Sequence, residues 1–164
     1  MKKMIVVMVV ALAAMPVCFA GIQAGKDELQ AQGSLQNMSG DVDYRMISAQ
    51  VIYSHFVRDD LSVGGALRVD MSDPGDDAST SIFMLGRGDY YFAAIEDFVP
   101  YAGAHLGLIS YDYGDDSATK PALGLQGGVK YFISENVSWN AELDLSLYSG
   151  VTLTSLLIGL SYYF

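Results

Sequence analysis

Several residue types and features are scarce in this chain, and each scarcity excludes a class of protein. The one cysteine, Cys18, lies in an N-terminal segment that we expect to be removed, so the remaining chain has no disulfide framework. Only nine Lys and Arg stand against nineteen Asp and Glu, which gives a formal net charge of −10. So acidic a chain is unsuited to electrostatic binding of nucleic acid or to peripheral attachment at an anionic membrane. Beyond the first twenty residues, no apolar run is long enough to form a membrane-spanning helix.

The first twenty residues have the layout of a secretory signal peptide. Lys2 and Lys3 precede a charge-free apolar stretch that closes on the small residue Ala20. The sequence therefore predicts a cleaved signal peptide over 1–20 and a single domain over 21–164. Removing the two lysines takes the net charge to −12. An exported domain without disulfides has to be held together by burial and backbone pairing.

The rest of the chain divides into eight runs, separated by polar segments that contain Gly or Asp. Strands that cross a bilayer at a tilt need about nine to eleven residues, whereas strands of soluble domains usually have about five or six. The runs are of the longer kind and predict eight long strands. They cover residues 27–37, 44–57, 61–71, 81–93, 100–111, 121–133, 137–148 and 152–164.

Apolar and polar residues alternate along most of these runs. In VSWNAELDLSLY (137–148), Leu143 and Leu145 share one face with Trp139, and Glu142 and Asp144 lie on the other. A period of two predicts a strand with one apolar and one polar face. Alternation alone leaves two barrels open. A soluble lipocalin-like barrel turns its apolar face inward, and a transmembrane barrel turns it outward.

The distribution of charge favours the transmembrane barrel. No charged residue lies in the middle of an apolar face, and the two exceptions, Arg45 and His55, are near strand ends. The polar faces mix both signs, so that their charges can pair inside a narrow lumen, where an unpaired charge is very costly.

Aromatic residues and turn lengths also sort by barrel end. The segments 58–60, 94–99 and 134–136 lie on the rim of the C-terminus and are short, whereas 37–43, 72–80 and 112–120 on the other rim are acidic and longer, and 149–150 is a tight turn. Short periplasmic turns and longer outer loops are typical of outer-membrane barrels.

An interfacial aromatic belt is predicted on the C-terminal rim. Its predicted members are Tyr53, Phe56, Tyr90, Phe92, Tyr101, Tyr131, Phe132, Trp139, Tyr162 and Phe164. We therefore predict an all-β fold, an eight-stranded antiparallel transmembrane up-and-down β-barrel.

Together these features resemble the small outer-membrane β-barrels of the opacity-protein and OmpA-type class. The resemblance is carried by the signal segment, the eight runs, VPYAGAHLGL at 99–108, GGVKYFISENVSWNAEL at 127–143 and the closing LSYYF. It implies a bacterial outer-membrane location, contact with outer-membrane lipid and lipopolysaccharide, and delivery by periplasmic chaperones to the barrel-assembly machinery. In that class a terminal Phe, preceded by apolar or aromatic residues at alternating positions, is the assembly signal. Leu160, Tyr162 and Phe164 match it.

The polar faces supply a candidate charge network for the lumen. The simpler interpretation is a salt-bridged plug in a barrel too thin for an aqueous channel. The alternative is a gated ion path, in which the arginines would have to exchange carboxylate partners. The predicted members are Glu28, Arg68, Asp70, Arg87, Asp89, His105, Lys130, Glu142 and Asp144.

The outer segments are rich in aspartate but match no EF-hand spacing, so we predict no metal or cofactor site. They could still meet an extracellular ligand. The residues are Asp41, Asp43, Asp73, Asp76, Asp77, Asp112, Asp115 and Asp116.

The first hypothesis for function is a structural or surface-interaction protein of the outer membrane, without enzymatic activity. A lipid-modifying enzyme is an alternative, but it needs a nucleophile, a base and a carboxylate within reach of lipid. His105 is expected to face the lumen and His55 to lie near the inner rim, and neither has an adjacent serine in the arrangement expected of a lipid A deacylase. A small gated channel is the third hypothesis, and a soluble carrier remains the interpretation if the faces are reversed.

Overall fold

The computed structural model describes residues 22–38, 44–73, 79–113 and 116–164, which form a closed barrel of eight antiparallel strands. Each strand pairs with the next in chain order, and β8 returns to pair with β1. The predicted fold is thereby confirmed, while the predicted signal peptide lies outside the described residues. The strands are β1 Asp27–Met38, β2 Tyr44–Arg58, β3 Leu61–Asp73, β4 Ser79–Tyr91, β5 Phe98–Tyr113, β6 Asp116–Ser134, β7 Val137–Tyr148 and β8 Val151–Tyr163.

Within those ranges, no helix is both long enough and apolar enough to cross a membrane.

One predicted loop is largely strand. Residues 112–120 were expected to form a longer outer loop, but β5 continues to Tyr113 and β6 begins at Asp116. The two strands pair from Ser110↔Thr119 up to Tyr113↔Asp116. Apolar and polar residues stop alternating before the strands end, because the alternation reflects contact with apolar surroundings. Backbone pairing does not require apolar surroundings, so the two strands stay paired beyond that point. The result is a β5–β6 hairpin that continues in polar residues at the end opposite the chain termini.

The barrel carries its apolar side chains outside and its charges inside. Leu106, Leu123 and Leu125 are 72%, 59% and 62% exposed, whereas Arg68 and Lys130 are each 1% exposed. This is the reverse of a soluble carrier barrel, and it agrees with the alternation expected of a membrane-spanning one.

Apolar side chains fill the lumen at the end that holds the chain termini. We call this group the aromatic plug; its members are Ile22, Phe56, Tyr91, Val99, Tyr101, Phe132 and Tyr163. Ring centroids lie 5.2 Å apart for Phe56 and Tyr91 and for Phe132 and Tyr163. A second apolar cluster lies further toward the opposite end and contains Ile52, Ala66, Phe83, Leu85, Ile109 and Ala122.

The aromatic plug corrects part of the predicted interfacial belt. Phe56, Tyr101 and Phe132 were assigned to the lipid face, but they are 0%, 3% and 9% exposed and point into the lumen. Strand parity explains the error, because Phe132 directly follows the outward-facing Tyr131 and must point the other way. Position along a strand sets the height of a side chain in the barrel, whereas strand parity sets its face.

Candidate functional site

All nine predicted lumen residues are buried between the rims of the barrel. Each is at most 8% exposed, although every one of them is ionisable. Strand alternation turns them inward, and the closed sheet forces them to find partners across the lumen. Their contacts define three groups, each centred on one cation.

The first group centres on Arg87, which binds carboxylates on two strands. Its Nε lies 2.8 Å from Asp89 Oδ2 on the same strand, and its Nη2 lies 2.8 Å from Glu142 Oε2 on β7. Tyr101 donates its hydroxyl to the same Glu142 oxygen at 2.7 Å. A buried guanidinium with both carboxylates in place is satisfied, whereas any one of the three alone would be costly.

The second group centres on Lys130, which lies just inside the aromatic plug. Its ammonium is ion-paired with Glu28 and donates to Gln30 Oε1 at 2.9 Å. The ammonium also lies 5.2 Å from the ring centroid of Tyr101, with the rings of Tyr91 and Tyr163 at 5.7 and 5.8 Å. Electron-rich ring faces attract a cation at such distances. The plug therefore contributes to holding this charge as well as to filling space.

The third group centres on Arg68. Its Nε lies 2.7 Å from Asp70 Oδ1, its Nη1 lies 3.2 Å from Asp144 Oδ1, and its Nη2 donates to Ser155 Oγ at 2.6 Å. Asp70 is two residues along the same strand, whereas Asp144 and Ser155 come from β7 and β8. The guanidinium thus spans the lumen from one wall to the other.

Neutral side chains that the sequence interpretation missed connect these groups. The Gln126 amide donates to Asp89 Oδ1 at 2.8 Å, and its Oε1 lies 3.0 Å from His105 Nδ1. Asn140 accepts from Gln32 at 2.9 Å and donates to Ser161 at 3.0 Å. Their positions on polar strand faces were the available signal, but an uncharged residue gives no reason to expect a particular partner.

His105 lies close to a serine and a carboxylate. Its Nε2 is 3.1 Å from Ser146 Oγ, and its Nδ1 is 3.4 Å from Asp144 Oδ2. The Ser146 hydroxyl has a single proton and lies closer to Asp144 Oδ1, at 2.8 Å. Ser146 is 1% exposed and faces the packed lumen. A nucleophile acting on lipid needs access to it, and this serine has none.

The other histidine lies on the outer face near the rim that holds the chain termini. His55 Nδ1 is 2.8 Å from Asp27 Oδ1, and Tyr53 donates its hydroxyl to the same oxygen at 2.9 Å. No serine joins this set in the contacts of the described residues. Within those residues, no group of three or more His, Cys, Asp or Glu side chains is arranged to hold a metal ion.

The three residues of the predicted assembly signal lie on the outer face, two on β8 and Phe164 directly after it. Leu160, Tyr162 and Phe164 are 42%, 51% and 52% exposed, and the last two rings stack with centroids 6.0 Å apart. The backbone of Phe164 exchanges two hydrogen bonds with Asp27, at 2.9 and 3.0 Å, where β8 meets β1. The terminal residue therefore helps to close the ring.

Most aspartates of the predicted acidic outer segments lie outside the part of the chain that the structure describes. Asp41, Asp43, Asp76, Asp77 and Asp115 lie outside the described residues. The backbones of Asp73, Asp112 and Asp116 belong to β3, β5 and β6.

A closed eight-stranded barrel with an apolar exterior and an ion-paired interior is the architecture of transmembrane β-barrels. No protein-family model matches the sequence, and a search of curated proteins finds no match.

Solved structures of outer-membrane proteins share this fold. Neisserial surface protein A matches with a TM-score of 0.66 at 17% identity, over 85% of this chain and 96% of that one. OprG of Pseudomonas aeruginosa matches with a TM-score of 0.64 at 11% identity, over 90% and 99%. Ail, the attachment invasion locus protein of Yersinia pestis, matches with a TM-score of 0.54 at 17% identity, over 87% and 100%. At these identities the likeness is one of fold: this chain has the eight-stranded barrel of small outer-membrane proteins.

Proposed function

We propose that this protein is an integral component of a bacterial outer membrane with a structural role, and that its barrel is closed to solutes. The observation that carries the proposal is the inverted distribution of polarity. The lipid-facing surface exposes large apolar side chains, while all nine predicted lumen ionisable residues are buried. Hydrocarbon stabilises an exterior made of large apolar side chains, whereas water does not.

The packing of the lumen supports a closed barrel over the gated channel. The aromatic plug fills one end, and Arg68 and Arg87 each bridge carboxylates on two different strands. Opening an ion path would require several of these pairs to separate inside a low-dielectric interior, where a broken pair costs about 3–5 kcal/mol.

The same burial supports a protein without enzymatic activity over a lipid-modifying enzyme. His105 contacts both a serine and a carboxylate, but Ser146 beside it is sealed from lipid. His55 faces outward, where its partner is Asp27.

The partners follow from location. Lipid and lipopolysaccharide would surround the outer face, and periplasmic chaperones would carry the chain to the barrel-assembly machinery. Leu160, Tyr162 and Phe164 would present the assembly signal, because they lie together on the open outer face of the closing strand.

The β5–β6 hairpin favours a second candidate role, interaction at the cell surface. A groove of 430 Å³ lies beside it, lined by hydroxyl side chains of Thr80, Ser110 and Thr119 among others. Ail has been solved in complex with a heparin analogue, sucrose octasulfate. The outer segments of this chain are acidic, so a polysulfate would be repelled, and we propose a basic extracellular partner instead.

Membrane fractionation followed by electrophoresis tests the main proposal. The protein should sediment with outer membranes, require detergent for extraction, and migrate differently with and without boiling. Planar-bilayer recordings of the purified barrel should show no stepwise conductance, with a known porin as positive control. Protein that stays in solution without detergent contradicts the membrane role, and regular conductance steps contradict the closed lumen.

A further inference from the structure

One wall of the lumen carries buried oxygen atoms that have no hydrogen-bond partner in the protein. They are Gln32 Oε1, Ser34 Oγ, Ser48 Oγ, Gln50 Oε1 and Asp70 Oδ2. A buried polar group left unpaired costs about 1–3 kcal/mol, so native proteins retain few of them. Five on one wall call for an explanation.

These atoms belong to two adjacent rows of side chains, each row running across the neighbouring strands β1, β2 and β3. Gln32 lies opposite Gln50, and Ser34 lies opposite Ser48, which in turn lies opposite Asp70. The residues therefore form one contiguous patch. Gln32, Ser48, Gln50 and Asp70 are each at most 6% exposed.

Two of the side chains are fixed by a bond to one of their polar atoms while the other stays free. Gln32 donates its amide to Asn140 at 2.9 Å, which leaves its carbonyl oxygen unused. Asp70 binds Arg68 through Oδ1 at 2.7 Å, which leaves Oδ2 unused. The patch thus offers acceptors and hydroxyls. The one unpartnered nitrogen nearby is Gln30 Nε2.

The charge balance of the lumen favours a further cation. Among the described residues, five buried carboxylates face three buried Lys and Arg. Even with His105 counted as a cation, one carboxylate is uncompensated. Asp70 is the carboxylate whose second oxygen has no partner. An uncompensated charge in such an interior is very costly.

We propose that Asp70, Gln32, Gln50, Ser34 and Ser48 form a binding site for a hard monovalent cation such as Na⁺. Carboxylate, amide and hydroxyl oxygens are the donors that hard cations prefer. Asp70 is the site's one carboxylate and already shares its charge with Arg68, so a monovalent ion matches the local charge more closely than a divalent ion. The site is distinct from the proposed envelope role, and it can fail while that role stands.

Unfolding by urea in detergent micelles tests the site, with NaCl compared against choline chloride at equal ionic strength. Choline is too bulky for the patch, so general salt effects cancel between the two titrations. We expect Na⁺ to stabilise the wild-type barrel, shifting the folding equilibrium about tenfold when its concentration exceeds Kd by about tenfold. Gln50→Met removes one oxygen ligand at similar volume and should abolish the difference between the salts.

Gln30→Met is the matched control. It removes a neighbouring lumen glutamine whose unpartnered atom is a donor, so it should lower stability equally in both salts and keep the Na⁺ preference. If Gln50→Met does not fold, Ser48→Ala carries the same test. Equal effects of Na⁺ and choline on the wild type, as hydration alone of the patch would give, overturn the proposal. So does a Na⁺ preference that survives both ligand variants.

Discussion

Arg87 and Glu142 meet across the lumen, with Nη2 of the guanidinium 2.8 Å from Oε2 of the carboxylate. They belong to β4 and β7, which are not neighbours in the sheet, and they lie 55 positions apart in the chain. The contact exists only when the ring is closed. It therefore reports directly on the assembled barrel.

Replacing Arg87 with Met should be strongly destabilising, because it leaves Glu142 and Asp89 buried without their cation. The expected loss is about 3–5 kcal/mol in the free energy of unfolding. Arg58→Met is the control, since Arg58 pairs with Asp60 at the surface, where such pairs contribute about 0–1 kcal/mol. Urea titration of both variants in micelles measures the difference. Equal losses of unfolding free energy in the two variants would mean that the buried ion pairs of Arg87 contribute no more than the surface pair of Arg58.

Two adjacent tyrosines should respond very differently to truncation. Tyr163 is fully buried in the aromatic plug, whereas Tyr162 is 51% exposed on the outer face. Tyr163→Ala should cost about 3–5 kcal/mol of unfolding free energy, as for other large buried aromatics. Tyr162→Ala should change the stability of the refolded barrel much less but reduce the yield of inserted protein in cells. Stability by urea titration and yield by quantitative blotting separate the two effects, and a reversed order contradicts the assignment of faces.

Two glycines on neighbouring strands should differ in their tolerance of a methyl group. A Cβ at Gly103 would collide with the Asp89 carboxylate and come within 2.7 Å of Gln126 Nε2. A Cβ at Gly86 would meet nothing closer than 3.8 Å. Gly103→Ala should therefore lose about 1–3 kcal/mol through overpacking, and Gly86→Ala should change stability by less than about 1 kcal/mol. Unchanged stability of the Gly103→Ala variant would show that the side chains around this position are packed less tightly than the structure indicates.

Spin labels at two positions of one strand should report two environments. Leu125 and Thr119 both lie on the outer face of β6, and the chain without its predicted signal peptide has no other cysteine to label. In lipid vesicles, a label at Leu125→Cys should collide mainly with oxygen, which concentrates in hydrocarbon. A label at Thr119→Cys, on the polar hairpin, should collide mainly with a water-soluble nickel complex. Similar accessibility at both positions contradicts a membrane boundary between them.

Alternation was sufficient to predict the strands because it records a local choice that each strand makes independently. Leu143 and Glu142 differ in environment whatever their partners are, so their assignment to an apolar and a polar face follows from the residue types alone. Which face points outward had to come from the distribution of charge and from the turn lengths. The same rule, applied to each aromatic in turn, would have placed Phe132 in the lumen. Height along the axis was a weaker guide than parity.

The ion-pair partners inside the lumen could not be predicted from the alternation of residue types. That Arg87 meets Glu142, and Arg68 meets Asp144, depends on the number of strands and on the stagger between them, which act over the whole ring. Only the partners two residues away could be predicted from the sequence, since Asp70 and Asp89 share a strand and a face with their arginines.

Those same-strand partners have a consequence for biogenesis. An Arg and an Asp two positions apart can neutralise each other while β3 and β4 are still an isolated hairpin, before any opposite wall exists. This hairpin would then approach hydrocarbon with two neutralised Arg–Asp pairs instead of four bare ions. The longer contacts to β7 need to form only as the last strand seals the cylinder.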